Sequence, residues 1–293
     1  MTAELGAGTL VLVATPIGNL GDLSPRALEA LAHADIVCCE DTRRTRGLLT
    51  HAGLRGIRLL SLHDHNEMAR VDTVLTHLAQ GKTVAVVSDA GTPLVSDPGA
   101  RLVSAAVAAG ATVTAVPGPS AALTALVVSG LPSDRFCFEG FLPRRGGDRR
   151  RRIEAVGRDA RTVVIFEAPG RLAATLGDLL EVCGPDRAVV VARELTKLHE
   201  EVWRGALGDA SATFATREVR GEVVVVLAGD PDAGRAPDDA QVHGALRGRL
   251  ERGDTLRDAA TAVAGELGVS RRRAYDLALE MRQHDRNGRN EKT

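Results

Sequence analysis

Short blocks of uniformly apolar residues recur along the chain and are separated by segments with helical periodicity. In the first part of the chain, these blocks predict strands at 9–15, 34–40, 83–89 and 111–118. Ser24 followed by Pro25 predicts a helix start, because serine caps a helix and proline fits its first position. Apolar strands without alternation, separated by helices, indicate a parallel sheet that is covered on both faces.

A second group of apolar blocks predicts another α/β unit. Its expected strands are 135–141, 161–169, 187–196 and 221–229, with a helix near 170–182 and a hairpin around Trp203. The acidic, Pro- and Gly-rich stretch 230–241 is typical of a linker. The predicted class is therefore α/β, with two α/β domains at 1–118 and 119–232 and a small helical domain at 242–285.

Within the helical domain, segment 255–281 is predicted to form two helices in a helix–turn–helix-like arrangement. Thr255 caps the first helix, Gly268 ends it, and Ser270 caps the second. The second helix starts with Arg271, Arg272 and Arg273, where the helix macrodipole disfavours cations. An external anion would relieve that conflict, so these arginines are predicted to contact nucleic acid. Packing in a dimer or a purely stabilising role is the alternative.

The charge distribution gives a second candidate for contact with nucleic acid. The 293 residues include 37 Lys and Arg against 38 Asp and Glu, so the net charge of −1 creates no global field. Segment 143–161 nevertheless holds eight arginines against three acids. Clustered arginines bind phosphate in a bidentate manner, and we predict RNA contacts from Arg144, Arg145 and Arg149. A solvated charged face is the alternative. Aromatic residues make up only 2% of the chain, which argues against base-stacking platforms of the single-strand-binding kind.

Cysteine usage and hydropathy indicate a cytoplasmic protein without membrane association. The four cysteines show no CxxC spacing, and the adjacent Cys38 and Cys39 would point to opposite faces of a strand. They are interpreted as buried hydrophobes in a reducing compartment. No secretion signal is evident. The uncharged run 102–133 is interrupted by Gly110 and by Pro117–Pro119, so its pieces are too short to cross a bilayer.

Three loops rich in Gly and Pro follow predicted parallel strands, at 14–22, 88–99 and 117–121. Ligands of open α/β sheets bind beyond the carboxyl ends of the strands, so these loops predict a small-molecule site. Asp89 is available there for a hydroxyl or an amine. The first loop lacks a Walker lysine and a dinucleotide fingerprint. Purely structural turns are the alternative.

The motifs "VATPIGNLGDLSPRALEALAHADIVCCEDTRRT", "SDAGTPLVSDPG", "VPGPSAALTALVVSGL" and "FEGFLPRR" occur in this order along the chain. In these motifs the sequence resembles the RsmI family of 16S ribosomal RNA ribose 2'-O-methyltransferases, within the tetrapyrrole-methylase fold. The resemblance implies two tetrapyrrole-methylase-like α/β domains, with S-adenosylmethionine (SAM) in the cleft between them, and a homodimer. It implies a cytidine ribose in the decoding region of the small ribosomal subunit as substrate. The cofactor-binding residues that it implies are Pro16, Asp89, Gly91, Thr92, Ser120 and Ala121.

Ribose methylation requires alignment of the hydroxyl with the methyl group and a base, or a cation that favours the alkoxide. Segment 38–46 places Glu40 and Asp41 at a strand end, before Arg43, Arg44 and Arg46. These residues could form an ordinary helix start or, as the resemblance favours, hold RNA and accept the ribose proton. Glu40, Asp41 and Glu167 are the candidate bases, and the sequence does not choose between them. Lys197 is the candidate cation.

Segment 62–67 offers His63, His65 and Glu67, which superficially resemble metal ligands. No further ligand cluster accompanies them, so a loop at the substrate entrance is preferred and no metal is expected. Two other functions compete with the RNA methyltransferase. One is a tetrapyrrole-type small-molecule methylase, and the other is a ribosome-assembly factor that binds RNA.

Overall fold

The computed structural model describes residues 8–63, 65–233 and 238–290, with side chains described as far as Arg282. The chain forms two compact units that divide between Pro231 and Asp232. The first unit contains two five-stranded sheets. Within it, the predicted boundary at 118/119 falls in the connection between a strand of the first sheet and a helix that packs on the second.

The first sheet is parallel, as its uniformly apolar strands predicted. Its strands are β1 (Thr9–Val13), β2 (Ile36–Cys39), β3 (Leu59–Ser61), β4 (Thr83–Val87) and β5 (Thr112–Val116), in the order β3-β2-β4-β1-β5. Its helices are α1 (Pro25–His33), α2 (Thr42–His51), α3 (Glu67–Ala79) and α4 (Ala100–Ala108). Helices α1 and α2 cover one face, and α3 and α4 cover the other. The parallel arrangement brings the loops that follow the strands to one edge.

Local sequence signals place these elements as expected. The Ser24 hydroxyl accepts the N–H of Ala27, and Pro25 occupies the first position of α1. Cys38 and Cys39 are buried on opposite faces of the sheet, as predicted for adjacent strand residues. Burial raises the pKa of the Cys38 thiol to about 12, so it stays protonated at neutral pH.

The second sheet is mixed. Its strands are β6 (Phe136–Phe141), β7 (Thr162–Glu167), β8 (Ala188–Arg193), β9 (Glu201–Ala206) and β10 (Val223–Leu227), in the order β6-β7-β10-β8-β9. Only β6 and β7 pair in parallel within this sheet. The predicted hairpin is formed by β8 and β9, where Trp203 pairs with Val191. Helix α5 (Ala121–Ser129) covers one face, and α6 (Gly146–Gly157), α7 (Leu172–Cys183) and α8 (Leu207–Ala215) cover the other.

The second unit is helical, as predicted, and consists of α9 (Asp239–Glu251), α10 (Leu256–Leu267) and α11 (Arg271–Asn290) over its described residues. Thr255 caps α10, and Gly268 ends it in the left-handed conformation. Helix α9 starts three residues before the expected boundary of 242, because Asp238 and Gln241 form a capping box. Over the described part of both units, no helix is long and apolar enough to span a bilayer.

Candidate functional site

The three loops rich in Gly and Pro are joined to one another by hydrogen bonds. Thr15 and Gly91 exchange backbone hydrogen bonds with N–O distances of 2.9 and 3.1 Å, which joins the loops after β1 and β4. The Thr92 hydroxyl donates to the carbonyl oxygen of Pro119 at 3.0 Å, which joins the loops after β4 and β5. The three loops thus form one continuous wall at the carboxyl edge of the parallel sheet.

The loop after β4 has a strained backbone. Gly91 and Gly99 have φ values of 84° and 122°, and the non-glycine residues Leu94 and Ser96 have φ values of 72° and 67°. Left-handed conformations of ordinary residues cost free energy and concentrate at ligand-binding segments. The many Gly, Pro, Ser and Asp residues of 88–99 therefore belong to a loop that has left-handed backbone conformations and is hydrogen-bonded to the two neighbouring loops.

A cavity of about 460 Å³ lies between this wall and the second sheet. Five of the six predicted cofactor residues line it, namely Asp89, Gly91, Thr92, Ser120 and Ala121. Pro16 is not among the lining residues, but its neighbour Ile17 is. A volume of this size suits a cofactor-sized ligand. Because both α/β halves line the cavity, it occupies the cleft expected between them.

Asp89 connects the cavity wall to the segment after β2. Its Oδ1 accepts the backbone N–H of Asp41 at 3.0 Å, and its Oδ2 lies 3.5 Å from a guanidinium nitrogen of Arg44. The Asp89 carboxylate is one-fifth exposed and retains accepting capacity toward the cavity. Its geometry is thus fixed before a ligand binds.

The three predicted catalytic residues of the segment after β2 occupy different positions. Glu40 is exposed and lines the cavity. Asp41 caps α2 by accepting the N–H of Arg43 at 2.8 Å, and neither Asp41 nor Arg43 is among the lining residues. Hydrogen bonds from the Arg43 side chain and backbone lower the pKa of Asp41, which weakens it as a base.

Glu167 also lines the cavity, but its carboxylate is bound within the protein. The Thr175 hydroxyl donates to Glu167 Oε2 at 2.5 Å, and the N–H of Ala168 donates to Oε1 at 2.8 Å. Arg171 Nε lies 3.4 Å from the same Oε1. These contacts order the start of α7 and occupy both oxygens of the candidate base.

Lys197 does not line the cavity, but one of its partners does. Its Nζ donates to Glu194 Oε1 at 2.8 Å and to Glu222 Oε2 at 3.0 Å, and Glu222 is a lining residue. Partial burial lowers the pKa of Lys197, but the hydrogen bonds to both glutamates outweigh this effect and raise the pKa above its ordinary value. Lys197 is therefore a cation that bridges the ends of β8 and β10.

The arginines predicted to contact RNA separate into two groups. Arg144 and Arg145 are exposed on the connection that follows β6. Arg149 is only 11% exposed, and its guanidinium binds Asp178 at 2.6 Å, Thr175 at 2.9 Å and the carbonyl oxygen of Pro143 at 3.2 Å. Arg149 thus joins α6 to α7.

In the second unit, the cationic first turn of α11 is partly compensated by neighbouring acids. Arg273 binds Asp239 at 2.7 Å, and Arg272 lies 3.8 Å from Asp276. Arg271 and Arg272 are exposed. The unfavourable interaction of Arg273 with the helix macrodipole is therefore compensated within the unit by Asp239 and not, as expected from the sequence, by an external anion.

The residues with superficial metal-ligand spacing have other contacts. Glu67 is buried, and its Oε1 accepts the N–H groups of Arg101 and Leu102 at 3.0 and 3.3 Å, at the start of α4. The rings of His63 and His65 are 6.0 Å apart. Among the residues that the structure describes, no cluster of three or more His, Cys, Asp or Glu side chains could hold a metal ion.

The cavity is also lined by Arg44, which was expected to hold RNA phosphate, and by Phe141, Phe166 and Glu222, which the sequence did not indicate as site residues. Arg44 and Phe141 belong to motifs that carried the resemblance, so a signal existed for both. Glu222 directly precedes the apolar strand β10, and only the order of strands in the sheet places it at the cavity.

The comparisons with known proteins agree with this architecture. The family model of tetrapyrrole (corrin/porphyrin) methylases matches residues 9–211. Solved structures of similar fold include the methyltransferase CobJ (23% identity, TM-score 0.59, 76% of this chain and 95% of that one). Another is a uroporphyrin-III C-methyltransferase of Thermus thermophilus complexed with S-adenosyl homocysteine (20% identity, TM-score 0.53, 75% and 97%).

Closer relatives are curated under one name, ribosomal RNA small subunit methyltransferase I. The Mycobacterium tuberculosis protein is 48% identical over 95% of this chain and 97% of its own length. The Escherichia coli O157:H7 protein is 43% identical over the same fractions. The chain belongs to the tetrapyrrole methylase family and, within it, to the ribosomal RNA small subunit methyltransferase I family. The resemblance stated from the motifs is confirmed.

Proposed function

We propose that the protein transfers a methyl group from SAM to the 2'-hydroxyl of a cytidine in the decoding region of 16S ribosomal RNA. The observation that carries this proposal is the cavity lined by both α/β halves, in a chain of the ribosomal RNA small subunit methyltransferase I family. The structural relative that holds S-adenosyl homocysteine supports SAM as the cofactor.

The residues of the cavity fit SAM. The wall of three joined loops presents backbone closely at Gly91, and Asp89 offers a carboxylate for a hydroxyl or amine of the cofactor. SAM supplies an electrophilic methyl group on a sulfonium sulfur when it is bound. The chain needs to align the ribose oxygen with that methyl group and to exclude water.

Glu40 is our preferred base for the ribose proton. It is exposed and lines the cavity, whereas Asp41 does not line it and Glu167 is only 2% exposed. Arg43 and Lys197 are assigned indirect roles. Arg43 holds Asp41 at the start of α2, and Lys197 holds Glu222 at the cavity.

The proposed RNA contacts are exposed arginines in both units. Arg144 and Arg145 follow β6, whose last residue lines the cavity, and we assign them to phosphate. Arg271 and Arg272 of the second unit are proposed as further phosphate contacts, which fits recognition of RNA by shape and backbone. The cytoplasm is the expected location, because the substrate is the small ribosomal subunit.

The proposed assembly is a homodimer. The uncharged run 102–133 is not wholly buried, since Leu123 and Val127 of α5 are 50% and 71% exposed. The edge strand β5, which precedes α5 in the chain, also exposes Thr112, Thr114 and Ala115. Surfaces without charge are typical of contacts between subunits. Sedimentation should show a dimer for the wild type and a monomer for Leu123→Glu.

The proposed reaction is tested with labelled SAM and small subunits purified from a strain that lacks this protein, followed by nuclease digestion and mass spectrometry. A single 2'-O-methylcytidine near the decoding site is expected. A label on a base would refute the ribose chemistry. No incorporation, with SAM binding shown separately, would favour a small-molecule methylase or an assembly factor.

A further inference from the structure

An exposed phenylalanine forms part of the cavity wall. Phe141 is 56% exposed, and its ring lies 5.7 Å from that of Phe166 in an edge-on arrangement. The Phe166 ring contacts Phe138 in turn at 4.9 Å. The chain has only five Phe, one Trp and one Tyr, so three of these seven rings form this cluster, and two of the three line the cavity.

A β-bulge directs Phe141 toward the cavity. Pairing of β6 with β7 shifts by one residue between Phe138 and Gly140, where Gly140 has a φ of 62°. Regular alternation would place Phe141 with Cys137, on the sheet face that packs against α6 and α7. Because of the shift, Phe141 pairs with Phe166 and shares its face. Bulges beside active sites commonly re-aim a side chain in this way.

Packing of the core does not account for the position of Phe141. The next residue, Leu142, is 2% exposed and fills the opposite core. The ring of Phe141 lines the cavity and remains partly in water. Three and four residues later, Arg144 and Arg145 are exposed, and neither pairs with a carboxylate among the described residues. An exposed aromatic ring at the cavity, followed within four residues by two exposed arginines, matches the chemistry of an unstacked nucleotide.

We propose that Phe141 stacks on the base of the target nucleotide and so positions its ribose over the cavity. This inference rests on the proposed function. A 2'-hydroxyl is accessible to SAM in a closed cleft only when its nucleotide leaves the helical stack, and an aromatic side chain replaces the stacking that is lost. A single ring suffices for this role, so it agrees with the scarcity of aromatic residues in the chain.

The test compares Phe141→Ala, Phe141→Leu and Phe141→Tyr in methyl transfer to unmethylated small subunits. Phe141→Ala and Phe141→Leu should raise the KM for subunits about 5- to 150-fold, since loss of a stacked ring removes about 1–3 kcal/mol. Phe141→Tyr should restore wild-type KM. Calorimetric affinity for S-adenosyl homocysteine should be unchanged in all three, and thermal melting confirms folding.

Each other outcome overturns the assignment. A wild-type KM in Phe141→Leu would show that the contact is merely apolar. A parallel loss of affinity for S-adenosyl homocysteine would assign the ring to the cofactor's adenine. Transfer by the wild type, with unchanged KM in Phe141→Ala, would refute the stacking and leave the proposed function intact. No transfer by the wild type would refute both.

Discussion

The backbones of Thr15 and Gly91 hydrogen-bond to each other in both directions, although 76 residues separate them along the chain. This pair fixes the loop after β4 against the loop after β1. Gly91 adopts a φ of 84°, and a Cβ at this position would lie 3.2 Å from Ile17 Cγ2. Both the conformation and the space at Gly91 therefore favour glycine.

Gly91→Ala should weaken binding of SAM and destabilise the first unit. The left-handed conformation costs an L-residue about 1–2 kcal/mol, and relief of that strain would move the cavity wall. Calorimetry with S-adenosyl homocysteine and thermal melting measure the two effects.

Gly47→Ala is the matched control for Gly91→Ala. Gly47 lies in α2 with no atoms near its potential Cβ. Alanine should stabilise this helix by about 0.5–1 kcal/mol and leave cofactor affinity unchanged. Equal cofactor affinity in Gly91→Ala and Gly47→Ala would refute the importance of the Gly91 conformation.

Glu67→Ala should destabilise the first unit by about 0.5–2 kcal/mol, the usual value of a helix cap. Helix α4 follows Gly99, which supplies no side-chain cap, and the Glu67 carboxylate takes that role from α3. Chemical denaturation measures the loss. Glu67→Gln keeps an accepting oxygen and should lose less. If both variants match the wild type, the cap contributes no stability.

Lys197→Met should lower the melting temperature in a manner that depends on pH. The hydrogen bond from Lys197 holds the pKa of Glu194 below its ordinary value, so this contact stabilises the fold above the unfolded pKa of the carboxyl. The stabilisation disappears as pH falls through the folded pKa. The difference in melting temperature from the wild type should thus be full at pH 7 and shrink below about pH 4.

Lys82→Met is the control for this profile. The Lys82 ammonium contacts His77 at 3.2 Å and pairs with no carboxylate among the described residues. Its effect should not shrink between pH 5 and pH 3. A difference for Lys197→Met that stays constant over this range would contradict the role of Glu194.

The paired replacement of Arg144 and Arg145 by alanine should weaken RNA binding without unfolding the protein. Each lost phosphate contact reduces the slope of log affinity against log salt by about 1.

Arg149→Ala should instead destabilise the protein and leave its phosphate contacts unchanged, because the buried guanidinium of Arg149 joins Asp178 and Thr175. We expect a loss of about 1–3 kcal/mol in stability and an unchanged salt slope. A reduced salt slope in Arg149→Ala would show that this residue also meets phosphate.

The sequence predicted most of the strands because β1, β2, β4, β7, β8 and β10 are largely buried and apolar. Strand β3 was missed, since Leu59–Ser61 is short and follows Arg58. The three loops were located because parallel strands end at one edge. Contacts of single side chains were less predictable. Arg149 meets Asp178 29 residues away, and Glu67 meets Arg101 34 residues away. No short sequence pattern predicts a contact between residues this far apart in the chain.

The bulge in β6 has a consequence for the lengths that this strand can have in related proteins. The bulge accommodates one extra residue of β6 and keeps Phe141 opposite Phe166, on the face of Phe138. Removal of a single residue between Phe138 and Phe141 would abolish the bulge and still leave Phe141 on this face, because regular alternation returns every second residue to the same side. Removal of two would move Phe141 and everything downstream to the opposite face. This strand is therefore expected to tolerate loss of the bulge residue, whereas a loss of two residues should require a compensating change before Leu142.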